Sequence, residues 1–211
     1  MIVHPNEIRK AAEILKAGGV IGYPTETVYG LGGLARRADV VSRIRRLKGR
    51  QAGKPMLILI PDEASIASLS DTDHLSTDVQ GLMKQFRPGP LTLVFKAKEG
   101  LPPNLTGGRD GIGIRVSSDP ICQQLFRECP FPIISTSANP SGQSPARSAG
   151  EVERYFGDHL DMILDGGIRS QGMPSTVIDT RSIPMTLVRE GAISISHIQS
   201  CIGDLRVPEK L

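Results

Sequence analysis

The stretch VIGYPTETVYGLGGLARRADVVSRIRRLKGRQAGKPMLILIP, residues 20–61, holds the elements around which the rest of the chain is arranged. An apolar run at 20–23 predicts a short buried strand. The glycines within 30–33 predict a loop that can bring bare backbone close to a ligand. A segment with one apolar face, 39–47, predicts a helix, and a second apolar run, 56–60, predicts another buried strand. This order of strand, loop, helix and strand is typical of α/β proteins.

The rest of the chain continues this mixture of strands and helices. Apolar or alternating runs predict further strands at 91–95, 111–116, 131–135, 162–164, 175–179 and 185–188. Helices are predicted from an Asn6 cap to Gly18, at 61–69, 79–86 and 120–127, after a capping box of Ser148 and Glu151, and at 193–202. The segment 100–111 reads as a long loop. We therefore expect one α/β domain over 1–211, built on a single twisted, mixed sheet with flanking helices, with its core at about 6–202 and a polar tail at 203–211.

Composition excludes several classes of protein. The chain has 211 residues, 39% of them hydrophobic, and a net charge of +3, which favours a globular domain over a general nucleic-acid coat. The N-terminus lacks a signal-peptide pattern, and no apolar run approaches the roughly 18 residues of a membrane span, so we expect a cytoplasmic protein. Three cysteines without a CxxC pair, and scattered histidines, indicate neither a disulfide framework nor a metal site.

A basic block spans the predicted helix and the segment after it. Eight basic residues and one acid lie within 36–54, and such a run usually forms a solvated helix face. Lys48, Arg50 and Lys54 differ from the others because they are predicted to lie past the helix, in a loop with Gly49 and Gly53 just before a buried strand. Ligands of open α/β sheets bind at strand ends and their loops, so we interpret these three as a clamp for phosphates.

Two further places favour a ligand. Arg115 lies in an alternating strand on the face opposite its isoleucines, so it is either at the surface or holds an anion. The run STSANPSGQSP at 135–145 directly follows a predicted core strand and is either turn chemistry or a wall of uncharged donors for a nucleotide. A P-loop motif is absent, and GLGGLA is not a Rossmann fingerprint.

Seven segments, in order along the chain, resemble the YrdC-like threonylcarbamoyl-adenylate synthases. They are PTETVYGLG (24–32), KGRQAGKP (48–55), RPGPLTLVF (87–95), GIRV (113–116), STSANPSG (135–142), STVID (175–179) and VREG (188–191). The resemblance implies a YrdC-like α/β domain with a positively charged cleft, in the short, single-domain form. It also implies that L-threonine, bicarbonate and ATP give threonylcarbamoyl-adenylate and pyrophosphate, and that a downstream transferase complex moves the threonylcarbamoyl group to tRNA.

The resemblance also assigns roles to residues. Lys48 and Arg50 are expected to be catalytic at the phosphates. The residues expected to bind ATP are Lys48, Arg50, Lys54, Ser137, Asn139, Ser144 and Arg189. Those expected to bind threonine are Thr25, Arg115, Ser135 and Thr176. Mg²⁺ is expected to come with ATP rather than on a protein site. Leu59 departs from relatives with His at that position, and Lys54 from relatives with Asn.

Two other functions remain open at this point. The basic block also suits a double-stranded RNA-binding or ribosome-associated factor, although aromatic residues are only 4% of the chain. A carbamoyl-adenylating domain like that of hydrogenase maturation proteins is the third alternative, but the zinc-finger modules of those proteins do not occur here. Pyrophosphate release that requires threonine would distinguish the synthase from both the RNA-binding factor and the carbamoyl-adenylating domain.

Overall fold

A computed structural model describes residues 1–71, 75–170 and 172–209. Its helices are α1 Ile8–Ala17, α2 Ala38–Lys48, α3 Thr77–Phe86, α4 Pro103–Thr106, α5 Pro120–Glu128, α6 Ala149–Phe156 and α7 Ile195–Ile202. Its strands are β1 Ile2–Val3, β2 Ile21–Tyr23, β3 Gly30–Gly32, β4 Leu57–Leu59, β5 Leu91–Lys96, β6 Gly111–Arg115, β7 Ile133–Ile134, β8 Thr136–Ser137, β9 Met162–Leu164, β10 Thr176–Asp179, β11 Met185–Arg189 and β12 Leu205–Arg206. Short 3-10 helices occur at Pro5–Glu7, Glu63–Ser68 and Gly157–His159. The predicted α/β class is confirmed.

The strands form two mixed sheets, where the sequence predicted one. The first has the order β1-β9-β2-β3-β8, and the second has the order β12-β11-β10-β5-β6-β4-β7. The chain passes from the second sheet to the first at Ser135, between β7 and β8. The Ser135 N–H donates to the Leu57 carbonyl and the Ile134 N–H donates to the Gly33 carbonyl, so the backbone joins the two sheets. A local sequence pattern predicts where strands occur but not which strands pair, so it could not predict the division into two sheets.

The predicted glycine loop at 30–33 is largely strand β3, which pairs antiparallel with β2. A Cβ atom on Gly32 would lie 2.6 Å from Cε1 of the Tyr23 ring, which is fully buried. Glycine at this position therefore makes room for an aromatic ring of the neighbouring strand, a packing requirement that resembles a loop signal in the sequence.

Several helices and loops begin or end at residues other than the predicted ones. Helix α2 extends through Lys48 and ends at Gly49, whose φ of 57° favours glycine, so Lys48 is in the helix rather than beyond it. Helix α1 follows a 3-10 turn capped by His4, so the predicted Asn6 cap is wrong. The predicted loop 100–111 contains α4, which buries Leu105.

The predicted polar tail also contains structure. Strand β12 pairs with β11, so residues 205–206 belong to the second sheet, while residues 210 and 211 lie outside the described residues. The predicted capping box is half formed. Ser148 accepts from the Glu151 N–H as expected, but the Glu151 carboxylate accepts from Arg147 N–H instead of the Ser148 N–H.

The middle strands of the second sheet have one face in the core and the other toward a cavity. Leu93 and Phe95 of β5 and Ile112 and Ile114 of β6 are buried in the larger apolar cluster. The alternate residues of the same two strands, among them Arg115, line the cavity. The period-two pattern of these strands thus determines which side chains can meet a ligand.

We expect Gly32→Ala to lower the free energy of unfolding by about 1–3 kcal/mol, because the added methyl group overlaps the buried Tyr23 ring. Urea unfolding measures this change. Gly150→Ala is the matched control, because that position in α6 faces open space and alanine is the better helix former by about 1 kcal/mol. Equal stability of the two variants would contradict the packing argument.

Candidate active site

One cavity of about 310 Å³ is lined by strands of both sheets, and its size is near the lower end of the range for ligand pockets. The sequence-predicted residues on its lining are Thr25, Arg50, Arg115, Ser135, Ser137 and Arg189. Strand β3 and strand β8 of the first sheet meet strands β4, β5, β6, β10 and β11 of the second around it. Residues from distant parts of the sequence therefore share one site.

Three arginines, Arg50, Arg115 and Arg189, give the lining its charge, and the lining contains no aspartate or glutamate among the described residues. Burial lowers the pKa of Arg189, and repulsion from Arg115 and Arg50 lowers it further. Burial also lowers the pKa of Arg50, with a further contribution from Arg45. Guanidiniums that are partly desolvated beside one another favour an anionic ligand between them.

The loop that carries Arg50 is held by backbone carbonyl oxygens. Arg50 Nη2 donates to the Pro55 carbonyl at 2.7 Å, which fixes the guanidinium against its own loop. Arg45 Nη1 donates to the Lys54 carbonyl at 2.9 Å and to the Asn104 carbonyl at 3.0 Å. Arg45 therefore ties this loop to α4, a role that the sequence did not indicate.

Lys48 lies behind the cavity wall rather than on its lining. Its side chain is buried, and its Nζ donates to the Ser137 carbonyl and, at 2.7 Å, to the Asn139 carbonyl. The Lys48 carbonyl accepts from the Ser141 N–H at 2.8 Å. The end of α2 thus fixes the position of the polar segment 137–141, so Lys48 is a positioning residue for that segment in this conformation.

Two predicted residues near the basic loop are not on the lining. Lys54 is exposed at the end of its loop, next to Pro55, which does line the cavity. Leu59 packs in the smaller apolar cluster with Ile21 and Tyr23. The position at which some relatives carry histidine is therefore part of the core here.

The polar segment 135–145 contributes only part of itself to the cavity. Ser135 and Ser137 are on the lining. Asn139 uses its amide group internally, since Nδ2 donates to the Gln143 carbonyl at 2.7 Å, and its buried Oδ1 has no partner. Ser144 is exposed and off the lining. The nucleotide contacts expected for Asn139 and Ser144 stay predictions.

Arg115 is buried, with an exposed fraction of 4%, so the surface alternative for this residue is wrong. Its Nε lies 3.7 Å from Oε1 of Glu26, and its Nη1 donates to Oγ1 of Thr27 at 3.3 Å. The Thr25 hydroxyl donates to the Val28 carbonyl at 2.7 Å, which fixes the turn that carries these residues. Glu26 had no assigned role in the sequence.

Thr176 is fully buried and does not line the cavity. Its hydroxyl donates to the Ile193 carbonyl at 2.6 Å and accepts from the Gly191 N–H at 3.0 Å, so it holds the turn after β11. Ser175 lines the cavity instead, and its carbonyl accepts from Arg189 Nη2 at 2.7 Å. Strand alternation could have identified Ser175, because Val177 shares its face whereas Ile178 is in the core.

The described residues offer no cluster of metal-ligating side chains. No group of three or more His, Cys, Asp or Glu side chains is arranged to hold a metal ion within 1–71, 75–170 and 172–209. In the same part of the chain, none of the helices combines the length and apolar character that a membrane crossing needs.

Residues 13–191 match the model of the Sua5/YciO/YrdC family, whose description is telomere recombination. This chain belongs to that family. A threonylcarbamoyl-AMP synthase of Pyrococcus abyssi is 37% identical over 201 residues, which are 95% of this chain and 58% of that protein. This member of the Sua5/YciO/YrdC family therefore spans less than two thirds of that relative.

Solved structures of the family have the same fold. The crystal structure of P. abyssi Sua5 complexed with L-threonine matches with a TM-score of 0.93 at 35% identity, over 99% of this chain and 62% of that one. The crystal structure of E. coli YciO matches with a TM-score of 0.81 at 30% identity, over 92% of this chain and 96% of that one. The Sua5/YciO/YrdC fold is thus shown over nearly the whole chain.

In this Sua5/YciO/YrdC protein, burial of Lys48 lowers its pKa to about 7, with repulsion from Arg50 as a second cause. Between pH 7 and 10 the unfolded chain keeps a proton on Lys48 that the folded protein partly releases. The stability of the wild type should therefore rise with pH in this window relative to Lys48→Met, which has no such proton. Urea unfolding of both proteins at pH 7 and pH 9 measures the difference, and parallel pH profiles would contradict it.

Proposed function

We propose that this protein is an L-threonylcarbamoyladenylate synthase, which forms threonylcarbamoyl-AMP and pyrophosphate from L-threonine, bicarbonate and ATP. One observation carries the proposal. Three guanidiniums from separate parts of the sequence share a cavity with the uncharged hydroxyls of Ser135, Ser137 and Ser175. The name of the P. abyssi relative and the threonine complex of P. abyssi Sua5 support the same reaction.

The proposed reaction needs positioning and electrostatics more than a protein nucleophile. The amine of threonine takes up CO₂ or bicarbonate to give a carbamate, which is already an anionic nucleophile. The protein must then bring this carbamate to the α-phosphate of ATP and stabilise the pyrophosphate that leaves. A site made of arginine side chains and neutral donors supplies such stabilisation without forming a covalent intermediate.

We assign the amino acid and the phosphates of ATP to different parts of the cavity. Thr25, Arg115 and Ser135 form the amino-acid end, with Arg115 pairing with the threonine carboxylate. Arg50 and Arg189 hold the phosphates. Lys54 is exposed and off the lining, on the same loop as Arg50, and we assign it to phosphates that the cavity of about 310 Å³ does not enclose.

The remaining sequence-predicted residues act on the nucleotide side or through their neighbours. Ser137, Asn139 and Ser144 contact the nucleotide in this proposal. Lys48 supports them by holding their segment, and Thr176 supports Arg189 by holding the turn after β11. Mg²⁺ would enter bound to the phosphates of ATP and neutralise part of their charge.

The product would be used by a downstream transferase that modifies tRNA with the threonylcarbamoyl group. We keep a cytoplasmic location as part of the proposal, because ATP and tRNA are both present there. The double-stranded RNA-binding alternative has less support from helix α2. Arg37 pairs with Asp39 at 2.6 Å and Arg43 pairs with Asp161 at 2.6 Å, so part of the basic face is already neutralised.

A pyrophosphate-release assay tests the proposal. We expect release from the 211-residue protein only when L-threonine, bicarbonate and ATP are all present, with a strong decrease when any one is omitted. Formation of threonylcarbamoyl-AMP is followed in parallel by mass spectrometry. Release that is independent of threonine would refute the proposed function.

Single substitutions test the two ends of the cavity separately. We expect Arg115→Ala to raise the KM for threonine about tenfold or more, because a charge-assisted bond to the carboxylate is lost, with little change in the KM for ATP. Arg50→Ala should have the reverse effect and mainly raise the KM for ATP.

Arg154→Ala is the matched control, since Arg154 is exposed on α6, where its Nη2 lies 3.9 Å from Oε1 of Glu151, and it does not line the cavity. It should leave both KM values unchanged. An Arg115→Ala enzyme with the wild-type dependence on threonine would contradict the assignment of the amino-acid end.

A further inference from the structure

Two buried polar atoms next to the cavity lack a hydrogen-bond partner. They are Oε1 of Glu26 and Nε of Arg115, which face each other at 3.7 Å, too far apart for a hydrogen bond. Buried polar groups are almost always paired, and leaving one unpaired is costly. A charged pair with both inner atoms unsatisfied is therefore a candidate for a site that a ligand completes.

Glu26 is not on the lining of the cavity, but it lies directly behind residues that are. Thr25 and Thr27, its neighbours on both sides, line the cavity, as does Arg115. The second carboxylate oxygen of Glu26, Oε2, accepts from the Ser117 hydroxyl, which leaves Oε1 as the uncommitted oxygen. The side chain of Glu26 is 13% exposed, and that of Arg115 is 4% exposed.

Charge explains why an amino acid needs this carboxylate. A free amino acid carries a carboxylate and an ammonium group on the same carbon atom. The charged side chains that line the cavity are all arginines among the described residues, so they attract the carboxylate and repel the ammonium group. Glu26 is an acid paired with one of these arginines, next to the point where the carboxylate is proposed to bind.

We propose that Glu26 is a specificity-determining residue that accepts the α-ammonium group of the amino acid while Arg115 takes its carboxylate. This inference rests on the proposed function and adds the partner of the amine. When the substrate carboxylate binds Arg115, the ion pair between Glu26 and that guanidinium weakens. Oε1 of Glu26 then accepts from the substrate ammonium group. The pair thus exchanges one internal contact for two contacts with a zwitterion.

The same arrangement favours the next step of the reaction. Carbamate formation converts R–NH₃⁺ and HCO₃⁻ into R–NH–COO⁻, water and a proton released to solvent. The nitrogen substituent changes from positive to negative, so Glu26 repels the group that it first attracted. Arg50 and Arg189, on the lining of the same cavity, attract the new anion toward the phosphates.

Binding measurements with two ligands test the role of Glu26. Isothermal titration calorimetry compares L-threonine with 3-hydroxybutanoic acid, which is threonine without its amino group. We expect the wild type to bind threonine about tenfold or more tightly, because only threonine makes the charge-assisted bond to Glu26. Glu26→Gln, which has nearly the same shape, should lower this preference about tenfold. A wild type that binds both ligands equally would overturn the proposal without any variant.

Ser117→Ala is the control for a merely structural effect, because it disturbs the same corner and leaves the carboxylate in place. It should keep most of the preference for threonine. Loss of the preference in Ser117→Ala to the same extent as in Glu26→Gln, or an unchanged preference in Glu26→Gln, would refute the role of Glu26.

The outcome separates this inference from the proposed function. If pyrophosphate release depends on threonine but Glu26→Gln keeps the wild-type preference for threonine over 3-hydroxybutanoic acid, only the inference is refuted. A wild type that neither binds threonine nor releases pyrophosphate in response to it refutes both.

Discussion

Backbone carbonyl oxygens hold Arg50 and Arg189 on the cavity lining and Lys48 behind it, and the rest of the site depends on this. Arg50 donates to the Pro55 carbonyl, Arg189 to the Ser175 carbonyl, and Lys48 to the carbonyls of Ser137 and Asn139. A carbonyl oxygen fixes the direction of a guanidinium or ammonium group but does not cancel its charge. The site is therefore rigid in geometry and still incomplete in charge, which is the state that an anionic ligand requires.

The cavity also depends on the seam between the two sheets. Ser135 stands where the chain leaves β7 and enters β8, and its N–H is bonded to Leu57 of the second sheet. The same residue lines the cavity, so the residue that joins the sheets is also part of the site. Packing and function are thus combined in a segment whose sequence looks like turn chemistry.

The sequence predicts the α/β class and the family of this protein better than the directions of its side chains. Arg115 and Arg189 end strands β6 and β11, Arg50 lies in the loop between α2 and β4, and all three line one cavity. Lys48 and Thr176 belong to equally clear motifs, but Lys48 donates to carbonyls behind the wall and Thr176 faces the core.

Other features of the structure could not be predicted from the sequence, for a physical reason. A motif gives residue types, whereas direction depends on helix ends, strand faces and neighbours that are distant in sequence. Glu26 illustrates this, because the role that we propose for its carboxylate depends on its pairing with Arg115, which lies 89 positions later in the chain. The division into two sheets and the strand at Gly30–Gly32 likewise follow from pairing and from the Tyr23 ring, which no local pattern contains.

In the proposed arrangement the turn at 25–27 and Arg115 hold the amino acid, whereas the 50–55 loop and Arg189 hold the phosphates, so separate segments of the chain carry the two sets of contacts. This separation makes the site modular. Substitutions in the short turn can alter which small molecule is accepted without moving the groups that meet a nucleotide. A scaffold of this kind can acquire new chemistry by changing a few residues at one end, while the machinery at the other end is inherited intact.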